Sequence, residues 1–91
     1  MLLSAAVVWE VAIKRSLGKL EAPADFSTLL LGAGAQALAI SLDHAAAVER
    51  LPWHHRDPFD RMLVAQALAE GLTVVTRDAA FGDYGVDVLA A

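Results

Sequence analysis

The chain has 91 residues, a formal net charge of −4 and no cysteine. This length suits one small domain, and the lack of cysteine excludes a disulfide framework and a thiolate metal site. The negative charge argues against bulk attraction to nucleic acid, so binding to a polyanion requires local basic residues or a metal ion. The apolar N-terminus is interrupted by Glu10 and follows a helical pattern, which predicts neither a signal peptide nor a membrane span.

Helices and strands alternate along the chain in the order expected of an α/β fold. The segment MLL predicts a short strand, and Ser4 is a suitable N-cap for a helix from Ala5 to Leu17. Asp25 is the candidate N-cap of a second helix, from about Phe26 to Leu31. The segment ALAIS, residues 37–41, then predicts a short buried strand.

The second half of the chain contains the clearest helix signal. Asp57 followed by Pro58 is typical of a helix start, and Gly71 is typical of a helix end, so the longest helix is predicted over Pro58 to Glu70. The apolar, β-branched segment LTVVT predicts a parallel strand covered on both faces. The other predicted elements are a helix from Asp43 to Arg50, a turn or short helix from Ala79 to Tyr84, and a strand from Asp87 to Leu89.

Three aspartates flank this helix and strand, and each has a structural explanation. Asp57 fits the N-cap position. Asp60 falls at the third helical position, where a carboxylate favours the helix dipole by about 0.3–1 kcal/mol. Asp78 follows the buried strand, either as a turn residue or at the sheet edge where ligands bind in open α/β folds. Position alone favours the structural interpretation of Asp60 and leaves both interpretations of Asp78 open.

Glu10 is the polar residue in an otherwise apolar helical segment, VVWEVAI. A helix that is apolar on all sides is expected to be buried, and a buried carboxylate costs several kcal/mol unless it is paired. Lys14, one helical turn later, offers a competing explanation as an ion-pair partner worth roughly 0.3–0.5 kcal/mol.

A metal ion is one solution if Glu10, Asp60 and Asp78 converge. Two carboxylates about 4 Å apart repel by ~4 kcal/mol at an effective dielectric constant of 20, so three of them shift their pKa values or bind a cation. Oxygen ligands without a His or Cys pattern favour Mg²⁺ or Mn²⁺ over zinc. The adjacent His54 and His55 lack the helical spacing of a zinc pair, which indicates a solvated loop.

Three segments together resemble a known family. SAAVVWEVAIKRSLGKLEAP, LPWHHRDPFDRMLVAQALAEGLTVVTRD and FGDYGVDVL are similar to the PIN-domain ribonuclease toxins of bacterial VapBC systems. The resemblance extends over essentially the whole chain. It implies a parallel sheet flanked by helices, and an acidic cluster that binds Mg²⁺ or Mn²⁺ for hydrolysis of RNA phosphodiester bonds.

The resemblance assigns roles to individual residues. It implies that Glu10, Asp60 and Asp78 are the catalytic metal ligands, and thereby selects Asp60 over Asp57. A serine or threonine two residues before the last acid also lines the family's site, which points to Thr76. Phosphate contacts are expected from basic residues near the acids, namely Lys14, Arg61 and Arg77. The implied partners are RNA and a VapB-type antitoxin, and the implied location is the cytoplasm without membrane attachment.

Members of the family begin with a strand carrying an aspartate, two helices and the start of a second strand, whereas this chain starts within that second strand. The sequence therefore predicts residues 1–91 as a single PIN-like domain, truncated at its N-terminus and without the first-strand acid. Its hydrophobic fraction is 57%, above the usual ~45–50%, which predicts a homo-oligomer with Ala5 to Leu20 at the interface. An inactive PIN-like module that binds an antitoxin or self-associates remains the alternative function.

Overall fold

The computed structural model describes the backbone of residues 1–76 and 78–90. It also describes their side chains, except those of Val75, Thr76, Ala79 and Ala90. The chain forms two compact units, Met1–Ile40 and Ser41–Ala91. Each unit contains one pair of parallel strands among its described residues, which confirms the predicted α/β class. No helix in the described part of the chain has the length and apolar character needed to cross a membrane.

The first unit contains β1 (Leu2–Ser4), α1 (Ala5–Ser16), α2 (Phe26–Gly32) and β2 (Gln36–Leu38). Strands β1 and β2 pair in parallel, with Leu3 opposite Ala37. The predicted cap of α1 is confirmed, because the Ser4 hydroxyl accepts a hydrogen bond from the Ala6 N–H at 3.1 Å. Helix α1 therefore follows β1 without an intervening loop, and Glu10 lies in the second turn of this helix.

Three predictions for the first unit were wrong in detail. Helix α1 is less buried than predicted, since only Ala6 of its 12 residues is buried and the others are half-buried or exposed. Among the described contacts, the Asp25 side chain makes no capping hydrogen bond to α2. Strand β2 begins at Gln36 and ends at Leu38, and its first two residues are exposed rather than buried. The apolar side chains of α1 and β2 predicted burial, but whether they are buried depends on which other elements pack against them.

The second unit contains α3 (Leu42–Ala47), a 3-10 turn (Val48–Arg50), α4 (Pro58–Glu70), β3 (Thr73–Thr76), a second 3-10 turn (Ala79–Tyr84) and β4 (Asp87–Ala90). Strands β3 and β4 pair in parallel, with Val74 opposite Val88. Strand β3 is less covered than predicted, because Thr73 is exposed and Val74 is half-buried. The buried core of this unit consists of Leu51, Val64, Ala65, Ala67, Phe81 and Val86.

Helix α4 has the predicted boundaries because both of its ends are encoded locally. The Asp57 carboxylate accepts hydrogen bonds from the N–H groups of Phe59 at 2.8 Å and Asp60 at 3.1 Å. At the other end Gly71 has φ 65° and ψ 40°, the left-handed conformation in which a side chain is strained. The sequence interpretation of Asp57 as an N-cap is therefore confirmed.

Helix α3 begins differently from the prediction, because Ser41 rather than Asp43 is its N-cap. The Ser41 hydroxyl accepts from the His44 N–H at 3.0 Å, and the Ser41 N–H donates to His44 Nδ1 at 3.1 Å. Since Nδ1 is an acceptor, Nε2 carries the ring proton and donates to Glu70 Oε1 at 2.8 Å. This bond ties the start of α3 to the end of α4 and places the two helices side by side.

Candidate active site

Asp78 lies at the carboxyl end of β3, where it begins the second 3-10 turn. Its Oδ1 accepts a hydrogen bond from the Ala80 N–H at 3.0 Å, and its Oδ2 lies 2.6 Å from Nε2 of His55. The hydrogen bond from His55, followed by that from Ala80, lowers the pKa of Asp78 below its ordinary value of 3.8. The side chain is 49% exposed, so an ionised carboxylate is presented to solvent at this strand end.

His55 lies in an ordered environment, and its assignment to a solvated loop was wrong. Its side chain is only 10% exposed. Nδ1 lies 3.0 Å from the Tyr84 hydroxyl, and the imidazole ring centroid is 4.7 Å from that of Phe81. The spacing of the two histidines argued only against a zinc pair. No local pattern predicts that the imidazole contacts Asp78 and Tyr84, which come from a distant part of the chain.

Asp60 occupies the first turn of α4, as predicted, and its N–H is held by the Asp57 cap. The loop that leads into α4 contacts the Asp78 turn through the His55 side chain. The carbonyl of His55 in turn accepts a hydrogen bond from Arg61 Nη1 at 3.4 Å. Within the second unit, His55 thus connects the loop before α4, the helix that carries Asp60, to Asp78 after the end of β3.

Arg61 is buried, which does not favour the phosphate contact predicted for it. Its side chain is 3% exposed, and its guanidinium lies 3.8 Å from the ring centroid of Trp53. The guanidinium also donates to backbone carbonyls in the preceding segment, those of Val48, Leu51, Pro52 and His55. These bonds give Arg61 the role of holding the loop before α4.

Glu10 and Lys14 lie in the first unit and form the ion pair that the sequence analysis left open. Lys14 Nζ is 3.1 Å from Glu10 Oε2, and the Glu10 side chain is 23% exposed. The Glu10 carboxylate is thus only partly buried, and it is paired with Lys14 as the competing explanation supposed. The role of Glu10 as a metal ligand stays a prediction, and so does the phosphate contact of Lys14.

Replacing Glu10 by glutamine is expected to change the stability of the metal-free protein little. An i,i+4 ion pair contributes about 0.3–0.5 kcal/mol, so its loss lowers the free energy of unfolding by no more than that. Urea unfolding in the presence of a chelator measures the change, with Lys14→Gln as the matched control. A gain in stability would contradict the ion pair and indicate that neighbouring acids repel Glu10.

Two predicted site residues lie partly or wholly outside the described part of the chain. Thr76 ends β3, but its side chain is outside the described set. Arg77 lies entirely outside it. Their predicted contacts with substrate therefore stay predictions.

The donor chemistry of Asp60 and Asp78 fits a hard divalent cation. Carboxylate oxygens are the ligands that Mg²⁺ and Mn²⁺ prefer, and metal binding requires the ionised form that the lowered pKa of Asp78 maintains. Within either unit, the described residues include no group of three His, Asp or Glu side chains placed to hold a metal ion. The roles of Asp60 and Asp78 as metal ligands therefore stay predictions.

The strands, their flanking helices and an ionised aspartate at the end of β3 define an α/β protein with a candidate oxygen-donor metal site. Residues 1–87 match the family model of the PIN domain. With a match over nearly its whole length, the chain belongs to the PIN-domain family. PIN domains are typically metal-dependent nucleases and generally use divalent ions. Searches of curated proteins and of solved structures found no match.

Proposed function

We propose that the protein is a VapC-type toxin, a metal-dependent ribonuclease that hydrolyses phosphodiester bonds in RNA. Membership of the PIN-domain family supports the nuclease class. The observation that carries the proposal is the Asp78 carboxylate, which is ionised and anchored at the end of β3, next to the loop that leads into α4. Carboxyl ends of parallel strands are the usual ligand-binding edge of open α/β sheets.

In this proposal Asp60 and Asp78, together with Glu10, hold Mg²⁺ or Mn²⁺. When bound, the ion polarises the phosphate and activates a water molecule. The N–H of Ala80 and the imidazole of His55 keep the Asp78 carboxylate charged and oriented. Lys14 and Arg77 contribute positive charge for the phosphates, and Thr76 lines the site. A VapB-type antitoxin is the proposed partner that restrains the activity, and the cytoplasm is the proposed compartment.

Replacing Asp78 by asparagine tests the proposal directly. The variant keeps the size of the side chain but loses the negative charge, so we expect Mn²⁺ binding and cleavage of single-stranded RNA to fall below detection. Asp83→Asn is the matched control, because Asp83 lies on the same 3-10 turn and its loss changes the net charge equally. Calorimetric titration and gel analysis of RNA measure the two effects. Equal behaviour of the two variants would contradict the metal-site proposal.

A non-catalytic function is the second candidate, and an apolar groove in the first unit favours it. The groove has a volume of about 480 Å³. Trp9 on α1 lines it and is 57% exposed, and Leu3 and Leu31 border it from β1 and α2. A second copy of the chain is the occupant we propose, because an apolar surface of this kind is unfavourable in water. An antitoxin is the other outcome of the test.

Replacing Trp9 by serine is expected to shift the protein from a dimer towards a monomer at micromolar concentration. Sedimentation velocity measures the change. Leu42→Ser is the control, because Leu42 is 90% exposed on the second unit and lies outside the groove. A wild-type monomer would exclude self-association. Sedimentation velocity of the chain mixed with a VapB-type antitoxin would then test the other partner.

A further inference from the structure

We propose that His55 is a positioning residue, which fixes the Asp78 carboxylate in the orientation that receives the metal ion. This inference rests on the proposed function, because it takes Asp78 as a metal ligand. It concerns a residue outside the acidic set, one that contacts neither the ion nor the RNA in the proposal. Three features of His55 support this role: its hydrogen bonds, its anchoring to the core and its contact with Asp78.

The hydrogen bonds of His55 form a directed chain. An ionised carboxylate only accepts hydrogen bonds, so Nε2 of His55 carries a proton and donates it to Asp78 Oδ2 across 2.6 Å. In the neutral ring Nδ1 is then the acceptor, and the Tyr84 hydroxyl donates to it across 3.0 Å. Tyr84 thereby selects the tautomer that His55 needs in order to donate to Asp78.

The imidazole is anchored more firmly than the carboxylate that it holds. Its ring stacks on Tyr84 at an interplanar angle of 16° and packs against Phe81, which is 4% exposed and belongs to the core. The Asp78 side chain, in contrast, is 49% exposed. The core therefore contributes to the orientation of the pair through His55, in addition to the turn that follows Asp78.

Two hydrogen bonds on opposite oxygens fix the plane of the Asp78 carboxylate. Ala80 donates to Oδ1 and His55 donates to Oδ2, so removal of the His55 bond takes away one of the contacts that orient the carboxylate. Loss of such an outer partner typically reduces metal affinity about 10–100-fold.

The test compares the Mn²⁺ affinities of variants of the full chain by calorimetric titration. His55→Ala is expected to weaken binding about 10–100-fold. His55→Gln is expected to recover a substantial part of the loss, because the glutamine amide nitrogen reaches about as far as Nε2 and also donates. Tyr84→Phe keeps the ring packing but removes the hydroxyl, so it is expected to weaken binding by a smaller factor while the circular dichroism spectrum stays unchanged.

Asp78→Asn separates a failure of this inference from a failure of the proposed function. If Asp78→Asn binds Mn²⁺ like the wild type, Asp78 is not a ligand and the proposed function is overturned. If Asp78→Asn abolishes binding while His55→Ala and Tyr84→Phe bind like the wild type, only the positioning role of His55 is overturned. Failure of His55→Gln to improve on His55→Ala would also count against the role, since it requires a donor at this position.

The tautomer of His55 can be measured in the metal-free protein, so this test does not require that the chain binds a metal. The ¹⁵N chemical shifts of the His55 ring are expected to show the Nε2–H tautomer in the wild type and in Asp83→Asn. Tyr84→Phe is expected to shift the tautomer population towards Nδ1–H. A wild-type ring in the Nδ1–H form would overturn the inference, because that tautomer has no proton to donate to Asp78.

Discussion

Asp60→Asn is expected to abolish Mn²⁺ binding and RNA cleavage, whereas Asp57→Asn is expected to leave both close to the wild-type values. The two residues lie on the same turn of α4, but their carboxylates serve different purposes. Asp57 accepts two backbone N–H bonds at the start of the helix, and asparagine is an equally good N-cap. Asp60 is one of the proposed ligands, and asparagine removes the charge that binds the cation.

The comparison is informative because the two substitutions are chemically identical. Both remove one negative charge from the first turn of a helix, where a carboxylate contributes about 0.3–1 kcal/mol through the helix dipole. Stability should therefore change by a similar small amount in both variants, as measured by urea unfolding. Calorimetric Mn²⁺ titration then isolates the effect on binding. Greater loss of affinity in Asp57→Asn would reverse the assignment of the pair.

The parts of the fold that the sequence predicted are those governed by local chemistry. Helix α4 starts and ends at the predicted residues because its end signals act locally. Asp57 accepts hydrogen bonds from the first free N–H groups, Pro58 suits the first helical position, and Gly71 ends the helix in the left-handed conformation. Ser4 caps α1 for the same reason. The match to the PIN domain likewise confirmed the PIN-domain membership that the motifs indicated, whereas the VapC-type role stays a proposal.

Predictions that depended on tertiary packing were less accurate. The apolar pattern around Glu10 indicated a buried helix, but α1 is largely exposed and Glu10 is paired with Lys14. The start of α3 was placed at Asp43, whereas Ser41 forms the cap together with the His44 side chain. Both residues are common N-caps, and the cap at Ser41 includes a side-chain contact from His44, which also bonds to Glu70 on α4.

The sequence suggested the acids of the candidate site, whose roles stay predictions, but it did not suggest the residues that contact Asp78. Asp78 was identified because it follows a strand, which is a feature of the local sequence. His55 lies 23 residues before Asp78, and no sequence pattern connects them. Arg61 was assigned to phosphate because it is basic and adjacent to Asp60. Only the structure shows that its guanidinium is buried on backbone carbonyls.

Arg61→Ala is expected to be among the most destabilising single substitutions in the second unit. The guanidinium donates to the carbonyls of Val48 and Pro52 at 2.9 Å each, and to that of Leu51 at 3.2 Å. An unsatisfied buried polar group costs about 1–3 kcal/mol, and several carbonyls lose their donor at once. We therefore expect the free energy of unfolding to fall by about 3–4 kcal/mol, part of it from the lost contact with Trp53.

Arg56→Ala is the matched control, because Arg56 lies in the same loop but is exposed. Exposed substitutions usually change stability by no more than about 0.5 kcal/mol, and urea unfolding separates the two cases. Arg61→Lys is expected to fall between them, since one ammonium group cannot reproduce the fork of a guanidinium. A stable Arg61→Ala protein with weakened RNA binding would instead support the phosphate contact predicted from the sequence. That result would indicate that the guanidinium contacts RNA, and that its bonds to the carbonyls of the loop before α4 contribute little to stability.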